Sequence, residues 1–132
     1  MNKFFATVTV LSGLFIGSFA MAECPVKEMD LDKIIDVISA ETTCASAADV
    51  AESCFWGSTA DVAQVAAATT VCEKDYADKL TSADKEIMTT LFNKCSTKFE
   101  KADGTLFRAM EAHCGLSVVK LFSNLYTPAE FQ

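Results

Sequence analysis

The sequence contains few of the residues that most enzyme active sites require. Its 132 residues include one histidine, five glycines and two prolines. Ser-His-Asp and Cys-His arrangements both need a positioned imidazole, and His113 is the only candidate. Neither a glycine-rich phosphate loop nor an HExxH or calcium-loop pattern is present. The sequence therefore predicts no catalytic residue, no cofactor and no enzymatic activity, and His113 is interpreted as a structural residue close to a helix C-terminus.

Strand patterns and basic runs are also scarce. The only β-type alternation, Thr7-Val8-Thr9-Val10, lies in the apolar N-terminal segment. The charged residues are scattered in mixed-sign groups, which is typical of solvated helix surfaces. The chain carries 11 basic and 18 acidic residues, a formal net charge of −7. This balance argues against nucleic acid and anionic lipid surfaces as partners.

The N-terminus has the three parts of a signal peptide. Lys3 provides a short basic start, residues 4–19 form an apolar run, and Ala20-Met21-Ala22 fits a small-x-small cleavage site. We predict that residues 1–22 are a cleaved signal peptide. Residues 23–132 are then a single helical, disulfide-rich domain with no membrane span. Cleavage removes Lys3 and no acidic residue, which leaves 10 basic and 18 acidic residues and a net charge of −8.

This segment has two alternative interpretations, a membrane anchor and a lipoprotein signal. A membrane anchor is disfavoured because the apolar run is short for a bilayer and is interrupted by Gly13, Gly17 and Ser18. Lipid modification of Cys24 is disfavoured because Glu23 stands where lipoprotein signals carry a small residue. Export by a cleaved signal peptide remains the preferred interpretation.

Six cysteines remain after the predicted cleavage, and their even number favours disulfides. They are Cys24, Cys44, Cys54, Cys72, Cys95 and Cys114. Three bridges would indicate an oxidising compartment, so the predicted location is secreted or periplasmic. A zinc site is the competing interpretation, but the cysteines are evenly spread and form no C-x-x-C pair. We therefore predict no metal.

The pairing follows from the geometry of antiparallel helices, in which residues equidistant from a turn face each other. The pairs whose midpoints fall on or beside predicted turns are Cys24–Cys54, Cys44–Cys72 and Cys95–Cys114. Cys72–Cys95, centred just past the Thr81-Ser82 break, remains an alternative. Cys44–Cys54 is excluded because the helix between them would hold the two sulfurs too far apart.

Apolar residues recur every three or four positions along the domain, which predicts helices throughout. The predicted helices start at Asp30, Ser46, Ser58, Thr81 or Ser82, and Thr105, with a sixth from Leu116 to Tyr126. Gly104 and Gly115 are interpreted as helix ends. The predicted fold class is all-α, a small disulfide-stapled bundle of about five to six helices.

Two binding functions fit such a domain, which we expect to be a monomer. The first is a protein-interaction module, such as an effector, an inhibitor or an envelope-associated factor. Its candidate contacts are Phe55, Trp56, Leu121 and Tyr126, which lie at the end of a short helix and on the apolar final helix. A protein partner would then bind at these apolar side chains.

The alternative is a carrier of a small hydrophobic ligand. Its candidate pocket residues are Met88, Phe92, Phe99, Phe107, Met110 and Phe122. The same residues could simply fill the core of the domain, since aromatic and Met stripes at helical spacing are typical of cores. An internal void would support the carrier, whereas an exposed apolar patch would support the interaction module.

Overall fold

The computed structural model describes residues 23–127, which form five α-helices and no strand. The helices are α1 (Leu31–Ala40), α2 (Cys44–Ser53), α3 (Ala60–Glu73), α4 (Ser82–Phe99) and α5 (Thr105–Tyr126). The predicted all-α, three-disulfide bundle is therefore confirmed. The predicted signal peptide lies outside the described residues. Among the described helices, none combines the length and apolarity needed to span a bilayer.

Polar side chains mark the helix starts. The Asp30 carboxylate accepts a hydrogen bond from a first-turn backbone N–H of α1. Thr81 and Asp84 form a reciprocal capping box at the start of α4, so of the two predicted starts Thr81 is the cap and Ser82 is the first helical residue. The start of α2 was predicted wrongly at Ser46. Thr43 is the cap, and its hydroxyl accepts the Ser46 N–H at 3.1 Å, so that Ser46 lies in the first turn.

The first core lies where α3 packs against α1, α2 and α5. It consists of Ile34, Ile38, Ala47, Ala48, Ala51, Cys54, Val65, Ala68, Val71 and Leu116. Alanine supplies three of the α2 residues, and its small side chain lets the α2 backbone approach α3 closely. This region holds the first three helices together as one compact unit.

The second core lies under the other half of α5. It consists of Cys44, Cys72, Tyr76, Cys95, Val118, Val119 and Phe122. Three disulfides join Cys24 to Cys54, Cys44 to Cys72 and Cys95 to Cys114. These are the three pairs whose midpoints fall at predicted turns. The bonds tie the N-terminal segment to the end of α2, α2 to α3, and α4 to α5.

The predicted helix end at Gly115 is wrong, because α5 continues without a break from Thr105 to Tyr126. Gly115 lies in the helix interior, and a Cβ placed there would be 3.2 Å from the Cε1 atom of Phe92. The glycine therefore permits close packing of α4 on α5 and does not end a helix. Gly104 has a φ of +112° and immediately precedes α5, whereas α4 already ends at Phe99.

Helix α4 lies at the edge of the bundle and packs mainly against α5. Cys95 is the only buried residue among its 18. Besides the Cys95 disulfide, two side-chain hydrogen bonds attach it. The Ser96 hydroxyl donates to Glu111 Oε1 at 2.6 Å, and the Tyr126 hydroxyl donates to Asp84 Oδ2 at 2.6 Å. Most of the surface of α4 consequently remains exposed.

Candidate functional site at the α4–α5 seam

Two adjoining apolar grooves follow the contact between α4 and α5. The Phe55 groove, of about 670 Å³, is lined by Glu52, Phe55, Lys98, Phe99, Leu106, Met110, His113, Cys114 and Ser117. The Leu121 groove, of about 320 Å³, is lined by Leu91, Lys94, Cys95, Lys98, Cys114, Ser117, Val118 and Leu121. Lys98, Cys114 and Ser117 belong to both grooves. The two grooves therefore form one continuous surface, which we call the seam.

One wall of the Phe55 groove comes from the turn that follows α2. Phe55 is 40% exposed, and its ring edge meets the His113 imidazole at a centroid distance of 5.0 Å. Gly57 in the same turn has a φ of +70°, a conformation that favours glycine. A Cβ at this position would also lie 3.1 Å from the Leu106 Cδ1 atom. The glycine turn therefore lets Leu106 of α5 come close to the Phe55 side of the groove.

His113 lies in the middle of α5, so the predicted contact with a helix C-terminus is wrong. Its Nε2 atom is buried and has no hydrogen-bond partner among the described residues. Burial lowers the pKa of the imidazole below the usual 6.5, with the Lys120 ammonium acting in the same direction. The Asp61 and Glu52 carboxylates oppose this shift. The neutral form, which suits an apolar groove, is thereby favoured.

The charge along the seam is basic, although the protein as a whole is acidic. The Lys98 ammonium lies 5.3 Å from the centroid of the Phe99 ring, within the range of a cation–π contact. Neither Lys94 nor Lys98 forms an ion pair with another described residue. Glu52 is paired with Lys120 at 2.8 Å, so the one carboxylate in the Phe55 groove is neutralised. The seam therefore presents uncompensated positive charge between its apolar ends.

A third groove lies between α3, α4 and α5. This Phe92 groove, of about 470 Å³, is lined by Val62, Val65, Ala66, Thr69, Phe92, Cys95, Ser96, Arg108, Glu111, Ala112 and Gly115. Cys95 belongs both to it and to the Leu121 groove, so the Cys95–Cys114 disulfide lies between this groove and the seam. The Phe92 groove and the seam share no other lining residue, so substitutions elsewhere in one surface can be tested without changing the other.

The predicted interaction residues are divided between the seam and the packed interior. Phe55 lines the Phe55 groove, and Leu121, which is 47% exposed, lines the Leu121 groove. Trp56 is half-buried and packs against the first core. Tyr126 is also half-buried, and its hydroxyl is bonded to Asp84. Phe55 and Leu121 are thus available to a partner, whereas Trp56 and Tyr126 contribute to the fold.

The predicted pocket residues do not line one common cavity in the described part of the chain. Phe99 and Met110 lie in the Phe55 groove, and Phe92 lies in the groove that bears its name. Phe122 is buried in the second core, and Met88 packs against that core. Phe107 is exposed and lines none of the three grooves. The set that the sequence groups together is split among two grooves, the core and the surface.

Several groove residues could not be identified as functional candidates from the sequence alone. Lys98 resembles any solvated helix lysine, and Leu106 resembles any core leucine of α5. Their role depends on the turn at Gly57 and on how α4 lies against α5, both of which are tertiary features. Gly57 is the one local signal, because a glycine directly after an exposed Phe-Trp pair indicates a tight turn that presents an aromatic ring.

Comparison of the chain with protein-family models, with curated proteins and with solved structures yields no match. All six cysteines form disulfides. Within residues 23–127, no group of three or more His, Cys, Asp or Glu side chains is arranged to hold a metal ion. The surfaces of the molecule are therefore the basis for inferring its function.

Proposed function

We propose that this protein is a secreted or periplasmic interaction module that binds a helix of a partner protein along the α4–α5 seam. The observation that carries the proposal is the continuity of the Phe55 and Leu121 grooves, which share three lining residues. Exposed, contiguous apolar surface of this kind is typical of interaction sites. Binding through such a surface requires no catalytic group.

The dimensions of the seam suit an α-helix. From Leu106 to Leu121 the seam follows 15 residues of α5, which correspond to about 22 Å at 1.5 Å per residue. A partner helix of about four turns has the same length. Helix-in-groove recognition places apolar anchors from successive turns into such a surface. Phe55 and Met110 would receive one anchor, and Leu91 and Leu121 the other.

The charge of the seam specifies the chemistry of the partner. Lys94 and Lys98 lie between the two apolar ends and lack acidic partners among the described residues. An acidic residue between two apolar anchors would complement them. Charge complementarity of this type contributes mainly to specificity and association rate. The proposed partner segment is therefore an amphipathic helix with a carboxylate near its centre.

The three disulfides and the predicted signal peptide support the location. Disulfides persist in oxidising compartments such as the periplasm and the extracellular space. An exposed apolar seam supported by covalent bonds would remain in shape there without a large core. The partner is accordingly expected to be an extracytoplasmic protein or the exposed domain of one.

Site-specific photocrosslinking in the producing cells tests this proposal. A benzophenone amino acid is placed at Met110 or Leu121 in the seam, or at Met29, which is 78% exposed and lies before α1. We expect both seam positions to crosslink to the same protein and Met29 not to do so. The crosslinked segment, identified by mass spectrometry, should be helical and should carry an acidic residue between apolar ones.

Charge reversal provides the matched control. Lys98→Glu should reduce the crosslink at least about tenfold, because it opposes the partner carboxylate within the seam. Lys85→Glu changes the charge equally at an exposed position of α4 outside the seam and should leave the crosslink intact. Equal crosslinking from Met29, or an adduct insensitive to Lys98→Glu, would contradict the proposal.

A further inference from the structure

We propose that the Phe92 groove is a binding site for a small amphipathic carboxylate, with the apolar tail against Phe92 and the carboxylate at Arg108. This site is separate from the seam and does not depend on the function proposed above. Its volume of about 470 Å³ lies within the range typical of small-molecule sites. Three independent features of the groove support the assignment: its walls, its floor and its charge.

The walls of the groove are apolar and face each other from different helices. Val62 and Val65 project from α3, and Phe92 projects from α4. Val62 and Phe92 are among the exposed large apolar side chains, at 44% and 36%. Both leave apolar surface in water that an apolar tail between them would cover. Covering it would be favourable because apolar surface would be removed from water.

The floor of the groove is built from small residues. Ala66 of α3 and Ala112 and Gly115 of α5 line it. At Gly115 even a methyl group would come within 3.2 Å of the Phe92 ring. The Phe92 ring covers the floor at Gly115, and Ala66 and Ala112 leave the rest of the floor free of larger side chains. Substitution of these positions by larger residues would fill the groove without altering its polar end.

The polar end of the groove carries the chemistry that selects the head group. Arg108, Glu111 and Ser96 lie there. Glu111 already accepts a hydrogen bond from the Ser96 hydroxyl at 2.6 Å, whereas Arg108 forms no ion pair with any described residue. The hydroxyl donor positions the Glu111 carboxylate without cancelling its charge, and the Arg108 guanidinium is left free to bind an anionic head group. Its planar fork of N–H donors matches a carboxylate in a bidentate arrangement.

The two ends are separated by a distance that fits a short tail. From Arg108 to Gly115 the groove follows seven residues of α5, or about 10 Å. The apolar end is where Phe92 contacts Gly115, and the polar end is where Ser96 contacts Glu111. The chemical class is therefore a monocarboxylate with an unbranched apolar tail of about this length, such as decanoate.

A ligand series with one common tail tests this assignment on the purified, oxidised full-length domain. Decanoate, 1-decanol and decylamine are titrated below their aggregation concentrations and followed by the backbone amide shifts of Gly115 and Ala112. We expect decanoate to shift both amides and to bind about tenfold more tightly than decanol, which corresponds to one charge-assisted contact. Decylamine should bind no better than decanol.

Two variants assign the head and the tail. Arg108→Gln should reduce the affinity for decanoate to that of decanol and leave decanol unaffected, since Arg108 is exposed and its loss should not disturb folding. Lys85→Gln removes a positive charge elsewhere on α4 and should change neither affinity. Ala66→Leu, on the exposed side of α3, should weaken all three ligands by filling the floor.

Each other outcome would overturn the proposal. Equal binding of decanoate and decanol that persists in Arg108→Gln would remove the role of the guanidinium. Tighter binding of decylamine would assign the polar end to Glu111 instead. If no ligand shifts Gly115 and Ala112, the groove is not a binding site for this class. None of these results bears on the seam, because Met110 and Leu121 line other grooves.

Discussion

His113 links the packing of the Phe55 groove to pH. As the only histidine of the chain, it gives a single imidazole resonance that NMR can follow without assignment. Burial lowers its pKa, with the Lys120 ammonium adding to the effect and the Asp61 and Glu52 carboxylates opposing it. We expect the folded protein to titrate below pH 6.5 and the urea-unfolded protein to titrate near that value.

The sign of the pH dependence follows from this difference. Because the folded pKa is lower than the unfolded one, the contribution of His113 to stability is complete above pH 6.5. This contribution declines as the pH falls from 6.5 towards the pKa of the folded protein, because over this range the unfolded chain binds the proton more readily than the folded protein does. His113→Phe should lack this decline in urea unfolding. A folded titration above pH 6.5 would contradict the buried position of the imidazole.

Gln64 is a second residue whose environment leads to a prediction. It is fully buried in α3, and neither its amide nitrogen nor its amide oxygen has a hydrogen-bond partner in the described part of the chain. Gln64→Met keeps a similar volume and removes both polar atoms. We expect the free energy of unfolding, measured with urea, to rise by about 1–2 kcal/mol. Gln64→Glu should lower the free energy of unfolding, because it buries a charge. A loss of stability in Gln64→Met would show that the Gln64 amide forms hydrogen bonds in the folded protein.

At the scale of the helix, α4 depends on one covalent attachment. Cys95 is its only buried residue, and the Cys95–Cys114 bond joins it to α5. In a Cys95→Ala/Cys114→Ala variant we expect amide exchange to accelerate throughout α4. Exchange in α1, α2 and α3 should remain slow, because their core contains no residue of α4. Uniform acceleration over all five helices would contradict a peripheral role for α4.

Some features of the helices could be predicted from the sequence, and others could not. Capping chemistry and the 3.6-residue period are local, so the all-α class and the start of α4 at Thr81 or Ser82 follow directly from the sequence. Disulfide pairs could be predicted because antiparallel neighbours are symmetric about their turn. Gly115 was predicted wrongly, because the same residue can end a helix or allow a neighbouring ring to approach. Only the position of Phe92 distinguishes these two roles.

The candidate site was less predictable than the fold. Phe55 and Leu121 could be singled out as exposed apolar candidates, but the seam between them requires Lys98 and the position of α4. Trp56 is of a residue type that often anchors interfaces, yet it packs against the first core. Exposure is a property of the assembled helices, and residue type alone does not determine it.

For the whole molecule, the three disulfides are not equivalent. Cys44 and Cys72 are both buried in the second core, and their bond ties α2 to α3 at the centre of the bundle. We expect a Cys44→Ala/Cys72→Ala variant to lose about 2–5 kcal/mol in a single cooperative transition. Urea unfolding followed by circular dichroism measures this loss. Accelerated amide exchange confined to one helix would contradict this expectation of a cooperative loss.

The edge position of α4 has a consequence for how this sequence can change. With one buried side chain in 18 residues, the helix places almost no packing demand on the positions that face water. Mutations there can accumulate, or be introduced as a library, while α1, α2, α3 and α5 keep the domain folded. The molecule thus separates the residues that maintain its shape from those free to acquire new specificity. It is therefore a natural scaffold for display, in which one disulfide-anchored helix carries the variable surface.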